Sequence, residues 1–146
     1  MSNGCYMETL EAGARNRDEL PAMLATLSSY DNLFGPNHPM TLRLRSEIGI
    51  ALWRRGELTR AQMVLERSIR DVTGVLGRYH EWRPRLLAAL RDLVAQLGAR
   101  DRAAALQREI LECQETRLGT EHPEALAARE MLVRMLWTTS SETRSS

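Results

Sequence analysis

The sequence LFGPNHPMTL, residues 33–42, decides the fold of this chain because parts of it return at a fixed interval. A glycine followed three residues later by a histidine occurs every 42 residues, and a second glycine followed five residues later by an alanine occurs twice at the same interval. The residues in register are Gly35, Gly77, Gly119, His38, His80, His122, Gly56, Gly98, Ala61 and Ala103. A repeat of this length is typical of a helical solenoid, whose units bury their apolar faces only by stacking on one another. The register therefore predicts an all-α binding scaffold and leaves its partner open.

The composition is that of a soluble globular domain, and it argues against several classes of function. The 146 residues are 43% hydrophobic, and 20 basic residues are nearly balanced by 19 acidic ones, so no net field favours nucleic acid or an anionic membrane. No stretch of about 18 apolar residues could span a bilayer. Cys5 and Cys113 are too few for a disulfide framework. We expect free thiols and a cytoplasmic protein without nucleic-acid or membrane partners.

The first full repeat is predicted to be a helical hairpin. Gly35 ends the preceding helix, Pro39 takes the first position of the next one, and Gly56 turns the chain. Thr59 and Gln62 form a capping-box pattern that is predicted to start the return helix. The apolar positions are Leu42, Ile48, Ala51 and Leu52 on the first helix and Ala61, Val64, Leu65, Ile69 and Val72 on the second.

The second and third repeats are variations on this hairpin. Residues 80–84 read HEWRP, so the first helix of the second repeat is predicted to start later, and Asp101 is predicted to cap its return helix. The third repeat supplies a single helix. The apolar positions are Leu86, Leu87, Leu90, Leu93, Val94 and Leu97, then Ala103, Leu106, Ile110 and Leu111, and finally Leu126, Met131, Leu132, Met135 and Leu136.

A degraded unit is predicted to precede the first full repeat. Its helix starts at Asp18 with Pro21 in the first turn, and its apolar positions are Leu20, Met23, Leu24, Leu27 and Tyr30. The predicted layout is a weakly structured or short helical segment over residues 1–17, a repeat domain over residues 18–138 and a disordered polar tail over residues 139–146.

The motif L-G-x-x-H-P-x-x-L every 42 residues, with a glycine in mid-unit, resembles the tetratricopeptide repeats of the kinesin light chains and their bacterial relatives over residues 18–137. The resemblance implies a right-handed superhelix of antiparallel helix pairs without catalysis or cofactor. It also implies a concave groove, lined by the first helix of each pair, that holds a peptide or helix of a partner protein.

The resemblance also implies which residues line the groove. They are Arg43, Ser46, Glu47, Ile50, Trp53 and Arg54 in the first repeat, Arg85, Ala89, Asp92 and Gln96 in the second, and Arg134 in the third. The asparagines with which the family clamps a peptide backbone are replaced here by Ser46-Glu47 and Ala88-Ala89. The lysine and asparagine set that grips a terminal carboxylate in chaperone-binding members is absent, so that class of partner is not expected.

Metal and enzyme sites are not expected. Equivalent histidines of successive helix pairs should lie about 10 Å apart, whereas every ligand of one zinc ion lies within about 2.1 Å of it. His38, His80 and His122 are therefore predicted to shape turns. The sequence has no phosphate-binding glycine loop, paired-cysteine motif, zincin helix or nucleophile elbow, so no catalytic residue, metal or cofactor is predicted.

Two questions about the groove stay open at this level. Trp53 either belongs to a binding hot spot or packs within the superhelix. Arginines at groove positions favour an acidic peptide, unless acidic residues on the same helices pair with them. The residues concerned are Arg43, Arg54, Arg85, Glu47 and Asp92.

A second class of function depends on the last helix. Met131, Met135 and Trp137 lie on a helix that has no partner within its own repeat. Exposed apolar surface of this kind favours self-association or permanent assembly into a larger complex. A structural subunit, including a homo-oligomer, is therefore the alternative to a groove-binding adaptor.

Overall fold

The computed structural model describes the backbone of residues 19–145 and the side chains of residues 19–138, and this part of the chain is helical without β-strands. Its helices are α1 (Glu19–Leu33), α2 (Pro39–Arg54), α3 (Leu58–Leu76), α4 (Trp82–Gln96), α5 (Arg100–Leu118) and α6 (Pro123–Ser145). They form the predicted pairs, α2 with α3 and α4 with α5, followed by α6. The all-α prediction is therefore confirmed. The predictions for residues 1–17, Asp18 and Cys5 lie outside the described residues.

The backbone groups into two compact units, residues 19–71 and residues 72–145, with the division inside α3. In the first unit α1 packs on α2, and in the second unit α5 packs on both α4 and α6. Contacts between consecutive helices are typical of a repeat fold. The extent of one repeat domain over residues 18–138 stays a prediction.

The three histidine corners share one hydrogen-bond pattern. At each corner the histidine Nδ1 accepts a hydrogen bond from the backbone amide two residues later, at 3.2 Å for His38, 3.2 Å for His80 and 3.1 Å for His122. The backbone amide of the histidine donates to the carbonyl of the glycine three residues earlier. These glycines have φ between 91° and 109°, where a residue with a Cβ would be strained. The histidines therefore satisfy an amide at the start of the first helix of each repeat, and their predicted role in the turn is confirmed.

The return helices do not start with the predicted caps. Helix α3 begins at Leu58, and the amide of Ala61 donates to the carbonyl of Glu57 at 2.9 Å. Thr59 is thus already inside the helix, and the predicted capping box is wrong. Asp101 is not a cap either, because α5 begins one residue before it; its carboxylate lies in the first turn, where negative charge complements the helix dipole. The reason is the glycine turn, since each return helix starts two residues after the glycine.

Two other helix ends bear on the predictions. Helix α4 starts at Trp82, one residue later than the register of Pro39 would place it, as predicted from the altered corner. Helix α6 continues through residue 145, whereas a disordered tail was expected from residue 139. No glycine or proline follows Pro123 to end this helix, and the Thr138 hydroxyl donates to the carbonyl of Arg134 at 2.9 Å. The polar composition alone was therefore a poor guide to the backbone of residues 139–145.

The apolar core follows most of the predicted helix faces. The buried members are Leu20, Leu42, Ile48, Ala51, Leu52, Ala61, Leu65, Val72, Leu86, Leu87, Leu90, Leu93, Val94, Ala103, Leu106 and Ile110. The exposed members are Leu24, Leu97, Leu126, Met131 and Leu136. Leu97 is exposed because it follows the last residue of α4. Three of the others lie on α6, whose predicted apolar face is only partly covered.

Buried arginines join neighbouring helices, and the helix-face pattern did not predict them. In the first unit, Arg45 of α2 bonds to Asp71 of α3 at 2.9 Å and to Asp31 of α1 at 3.6 Å. In the second unit, Arg83 of α4 donates from Nε to the hydroxyl of Thr73 at 3.1 Å. Asp31 and Thr73 are one repeat period apart, so a polar residue near the end of each return helix meets an arginine of the following helix.

Candidate functional site

Six of the predicted groove residues lie on α2, in the first unit. Their separations of three, four and seven residues place them on one side of the helix, and we call Arg43, Ser46, Glu47, Ile50, Trp53 and Arg54 the α2 face. Arg54 is exposed, Glu47 is buried and the other four are half-buried. The α2 face therefore combines an aromatic ring and an aliphatic side chain with charged groups of both signs.

Glu47 has the most unusual surroundings on the α2 face. Its Oε1 is buried and accepts no hydrogen bond from any described residue. Burial raises the pKa of Glu47 to about 7, because removing a carboxylate from water disfavours its charged form. Burial also lowers the pKa of the neighbouring Arg43. Oε1 therefore has no donor within the described part of the chain, so the alternative in which Glu47 pairs with groove arginines does not satisfy this atom.

The remaining predicted groove residues lie in the second unit, on α4 and α6. Arg85, Asp92, Gln96 and Arg134 are exposed, whereas Ala89 is buried. The carboxylate of Asp92, left open as a partner for the groove arginines, bonds to Arg91 Nε at 2.9 Å. Arg85 lies at an exposed position of α4.

A cavity of about 250 Å³ lies within the second unit. Residues of α4, α5 and α6 line it, namely Ala95, Arg100, Ala103, Arg134, Met135 and Thr138. Its lining includes Arg134, which was predicted for the groove, and Met135, which was predicted for an assembly surface. Arg134 is held by an ion pair with Glu130 at 2.9 Å. The helix-face pattern did not identify Arg100 or Thr138, although the recurrence of Ala61 at Ala103 was a sign of close approach at this point.

The described part of the chain shows neither a metal centre nor a membrane span. Among residues 19–138, no three histidine, cysteine or acidic side chains lie close enough together to hold a metal ion. None of the helices between residues 19 and 145 is both long and apolar enough to cross a bilayer. Cys113 is a buried free thiol, and burial raises its pKa.

The segment from Arg91 to Glu124 matches the family model described as tetratricopeptide repeat. The segment runs from the middle of α4 into the first turn of α6 and includes the Gly98 turn and the His122 corner. No curated protein sequence matches the chain.

Solved structures support the same fold for nearly the whole chain. The nearly identical tetratricopeptide-like repeats of a Podosopora anserina protein described as a kinesin light chain match with a TM-score of 0.73 and 21% identity, covering 88% of this chain and 62% of that one. A variant of those repeats with one residue substituted matches with a TM-score of 0.72 and 20% identity, covering 92% of this chain and 67% of that one. This chain thus spans about two thirds of the matched lengths. The predicted resemblance to long-period tetratricopeptide repeats is confirmed.

Tetratricopeptide repeats are in general modules for protein–protein interaction. Their stacked helical hairpins present extended surfaces on which side chains of consecutive units select a partner. In this chain the first helices of the hairpins, α2 and α4, carry ten of the eleven predicted groove residues, and the unpaired α6 carries the other.

Proposed function

We propose that this chain is a non-catalytic adaptor that binds a peptide or helix of a partner protein on the α2 face. The single observation that carries the proposal is the placement of Ile50, Trp53 and Arg54 on one side of α2, where Ile50 and Trp53 are half-buried and Arg54 is exposed. Tryptophan and arginine supply much of the energy of protein interfaces. Exposed residues of α4 and α6 supply further contacts. A reducing, cytoplasmic location suits the buried thiol of Cys113.

The bound segment is proposed to be acidic. Arg54 and Arg85 are exposed arginines at groove positions, and arginine forms strong paired hydrogen bonds with carboxylates.

Binding of acidic peptides tests this proposal. Fluorescein-labelled peptides rich in Asp and Glu, with neutral and basic peptides for comparison, are titrated with the wild-type chain and with a Trp53→Ala, Arg54→Ala double variant. We expect the double variant to bind the acidic peptides at least about 30-fold more weakly, which corresponds to about 2 kcal/mol. Arg108→Ala removes an exposed arginine of α5 and is the matched control for charge. Equal binding by a double variant with an unchanged circular dichroism spectrum would exclude the α2 face.

A second candidate function is favoured by the exposure of α6. Trp137 is 70% exposed, Met131 is exposed and Met135 is half-buried. Apolar side chains exposed together on one helix are common at assembly surfaces. We propose assembly into a larger complex through α6 as this second candidate, and light scattering over a range of concentrations distinguishes self-association from binding to a different protein.

A further inference from the structure

Helix α3 carries a row of exposed residues, three of them arginines. Arg60, Met63, Arg67 and Arg70 follow one another at separations of three, four and three residues, which places them on one side of the helix. Met63 is 66% exposed, the side chains of Arg60 and Arg67 are 59% and 60% exposed, and Arg70 is exposed. We call these four residues the α3 row. Helix α3 is internal, with two described helices before it and three after it.

The repeat fold does not require arginines at the α3 row. One repeat period earlier the same positions of α1 are neutral, and one period later two of these positions in α5 are acidic. The residues in register with Met63, Arg67 and Arg70 are Pro21, Ala25 and Ser28 in α1, and Ala105, Glu109 and Glu112 in α5. A repeat that accepts neutral and acidic side chains at these positions does not need basic ones for its own packing. The arginines are therefore a feature of α3 alone.

The acids near the α3 row do not balance its charge. Arg60 bonds to Glu57 at 2.9 Å, but a second arginine lies 3.3 Å from the same carboxylate. Arg67 lies 3.6 Å from Asp71, which bonds more closely, at 2.9 Å, to the buried arginine of α2. Among residues 19–138, Arg70 has no ion-pair partner. The α3 row therefore keeps an excess of positive charge around an exposed apolar side chain.

We propose that the α3 row is a docking site for an acidic amphipathic helix of a partner protein. Separations of three and four residues are the contact pattern of two packed helices. The partner helix presents an apolar side chain to Met63 and carboxylates to the arginines on either side of it, where each guanidinium donates paired hydrogen bonds. From Arg60 to Arg70 the row is about 15 Å long, or about three helical turns. This inference goes beyond the proposed function and is independent of the α2 face.

A different protein fits the α3 row better than a second copy of this chain does. In a second copy the register equivalents Glu109 and Glu112 offer carboxylates, but both are already used. Arg83 bonds to Glu109 at 3.3 Å, and Arg78 bonds to Glu112 at 3.1 Å. An extended polyanion such as nucleic acid is also disfavoured, because 19 acidic residues nearly balance the 20 basic ones of the whole chain. Charge complementarity therefore favours a partner helix that brings its own acids.

A designed helix provides the probe. A fluorescein-labelled, alanine-rich peptide of about 18 residues, long enough to be helical, carries three glutamates and one leucine at the separations of the α3 row. This row peptide is made in two orders, one for parallel and one for antiparallel packing. The control peptide has the same composition, with its glutamates spread around the helix. By fluorescence anisotropy with the full chain, we expect one row peptide to bind at least about tenfold more tightly than the control, which corresponds to about 1.4 kcal/mol.

Variants of the chain assign this binding to the α3 row. We expect an Arg67→Gln, Arg70→Gln double variant to bind the row peptide about tenfold more weakly than the wild-type chain. An Arg102→Gln, Arg108→Gln double variant removes two exposed arginines of α5 and is the matched control for charge. This control variant should bind as the wild type does. The double variant of the α2 face should also bind as the wild type does, because that face makes no contact with the row peptide.

Met63→Ser gives a readout of the apolar contact. It should weaken binding of the row peptide but not of a version with alanine in place of the leucine, because the two side chains are coupled. All the substituted residues of α3 and α5 are exposed, and circular dichroism checks the folding of each variant.

Several outcomes would overturn the inference. They are no binding of either row peptide, equal binding of the control peptide, and no effect of Arg67→Gln, Arg70→Gln. Loss of binding only in the double variant of the α2 face would retain the proposed function and overturn the α3 row. Preference for a duplex oligonucleotide over the row peptide would replace the partner helix with nucleic acid. Self-association seen by light scattering and abolished by Arg67→Gln, Arg70→Gln would replace it with a second copy of this chain.

Discussion

Helices α2 and α6 begin in the same way, but their equivalent side chains differ in burial. Both follow a glycine with positive φ, and both have a histidine Nδ1 that accepts a hydrogen bond from the amide two residues later. Leu42 and Leu52 of α2 are each 1% exposed, however, whereas their register equivalents on α6 are among the exposed residues. The comparison teaches that local backbone chemistry determines where a repeat helix starts, while burial depends on which helices lie beside it.

Helix α6 is nevertheless well packed on one side. Ala125 and Ala128 are buried, and the buried Gln107 of α5 donates a hydrogen bond to the carbonyl of Ala128 at 2.8 Å. The same Gln107 accepts a hydrogen bond from Arg91 of α4 at 2.7 Å. One amide therefore joins α4, α5 and α6, and the exposed residues of α6 lie on a helix whose other side is firmly held.

The largest expected difference concerns matched leucines. We expect Leu52→Ala to lower the free energy of unfolding by about 2 to 5 kcal/mol, because it removes a fully buried side chain and leaves a cavity. The register equivalent, Leu136→Ala, should cost less than about 1 kcal/mol, since its side chain is partly solvated. Urea unfolding followed by circular dichroism measures both. Equal losses would show that α6 is covered in solution.

A smaller difference is expected for matched arginines. Arg45→Met leaves Asp71 and Asp31 without their buried cation, and we expect a loss of about 1 to 3 kcal/mol, moderated because both acids are partly exposed. Arg129→Met should cost less than about 0.5 kcal/mol, since the pair with Glu115 lies near the surface. The loss for Arg45→Met should shrink when Asp71→Asn is introduced as well, because the two residues are coupled. An additive double variant would contradict the ion pair.

The contrast between α2 and α6 also separates what the sequence could predict from what it could not. The corners were predictable because glycine, histidine and proline each satisfy a requirement of the local backbone. The helix faces were predictable from period alone. The Thr59 capping box failed because the nearby glycine turn, rather than the best capping residue, decided where α3 starts.

The candidate site was less predictable for a different reason. Its residues were placed on helices correctly, but their pairing depends on how one helix is rotated against another. Arg45 meets an acid 26 residues away, and Asp92 pairs with Arg91 rather than Arg85. Likewise, residue type did not show that Glu47 is buried, since glutamate is mostly found at the surface. Contacts of this kind follow from packing and not from a one-dimensional pattern.

Glu47 and its register equivalent Met131 should differ in their response to pH. The pKa of Glu47 in the folded chain is about 7, above the ordinary value of 4.5, so between these values the folded state binds more protons than the unfolded state. Stability attributable to Glu47 is therefore greatest below about pH 4.5 and falls until about pH 7. We expect Glu47→Gln to remove this slope and to stabilise the chain at pH 8 by about 1 to 2 kcal/mol, an amount reduced by solvent screening.

Thermal unfolding at pH 5 and pH 8 measures the effect. Met131→Glu places the same carboxylate at the equivalent, exposed position of α6, and we expect little change in the pH dependence there. Glu130→Gln is the control for loss of an exposed acid. An unchanged pH slope in Glu47→Gln would show that this carboxylate is solvated in the folded chain.

The smallest expected effect is one in which the two helices should not differ. His38→Ala and His122→Ala each remove the acceptor for one amide at the start of a helix, and loss of such a cap costs about 1 kcal/mol. Because both hydrogen bonds are local, at 3.2 and 3.1 Å, the two losses should agree within about 0.5 kcal/mol in the same urea experiment. Asparagine, whose side-chain oxygen can accept the same hydrogen bond, should restore most of the loss at either position. A loss confined to His38 would mean that the corner of α6 depends on packing as well as on its cap.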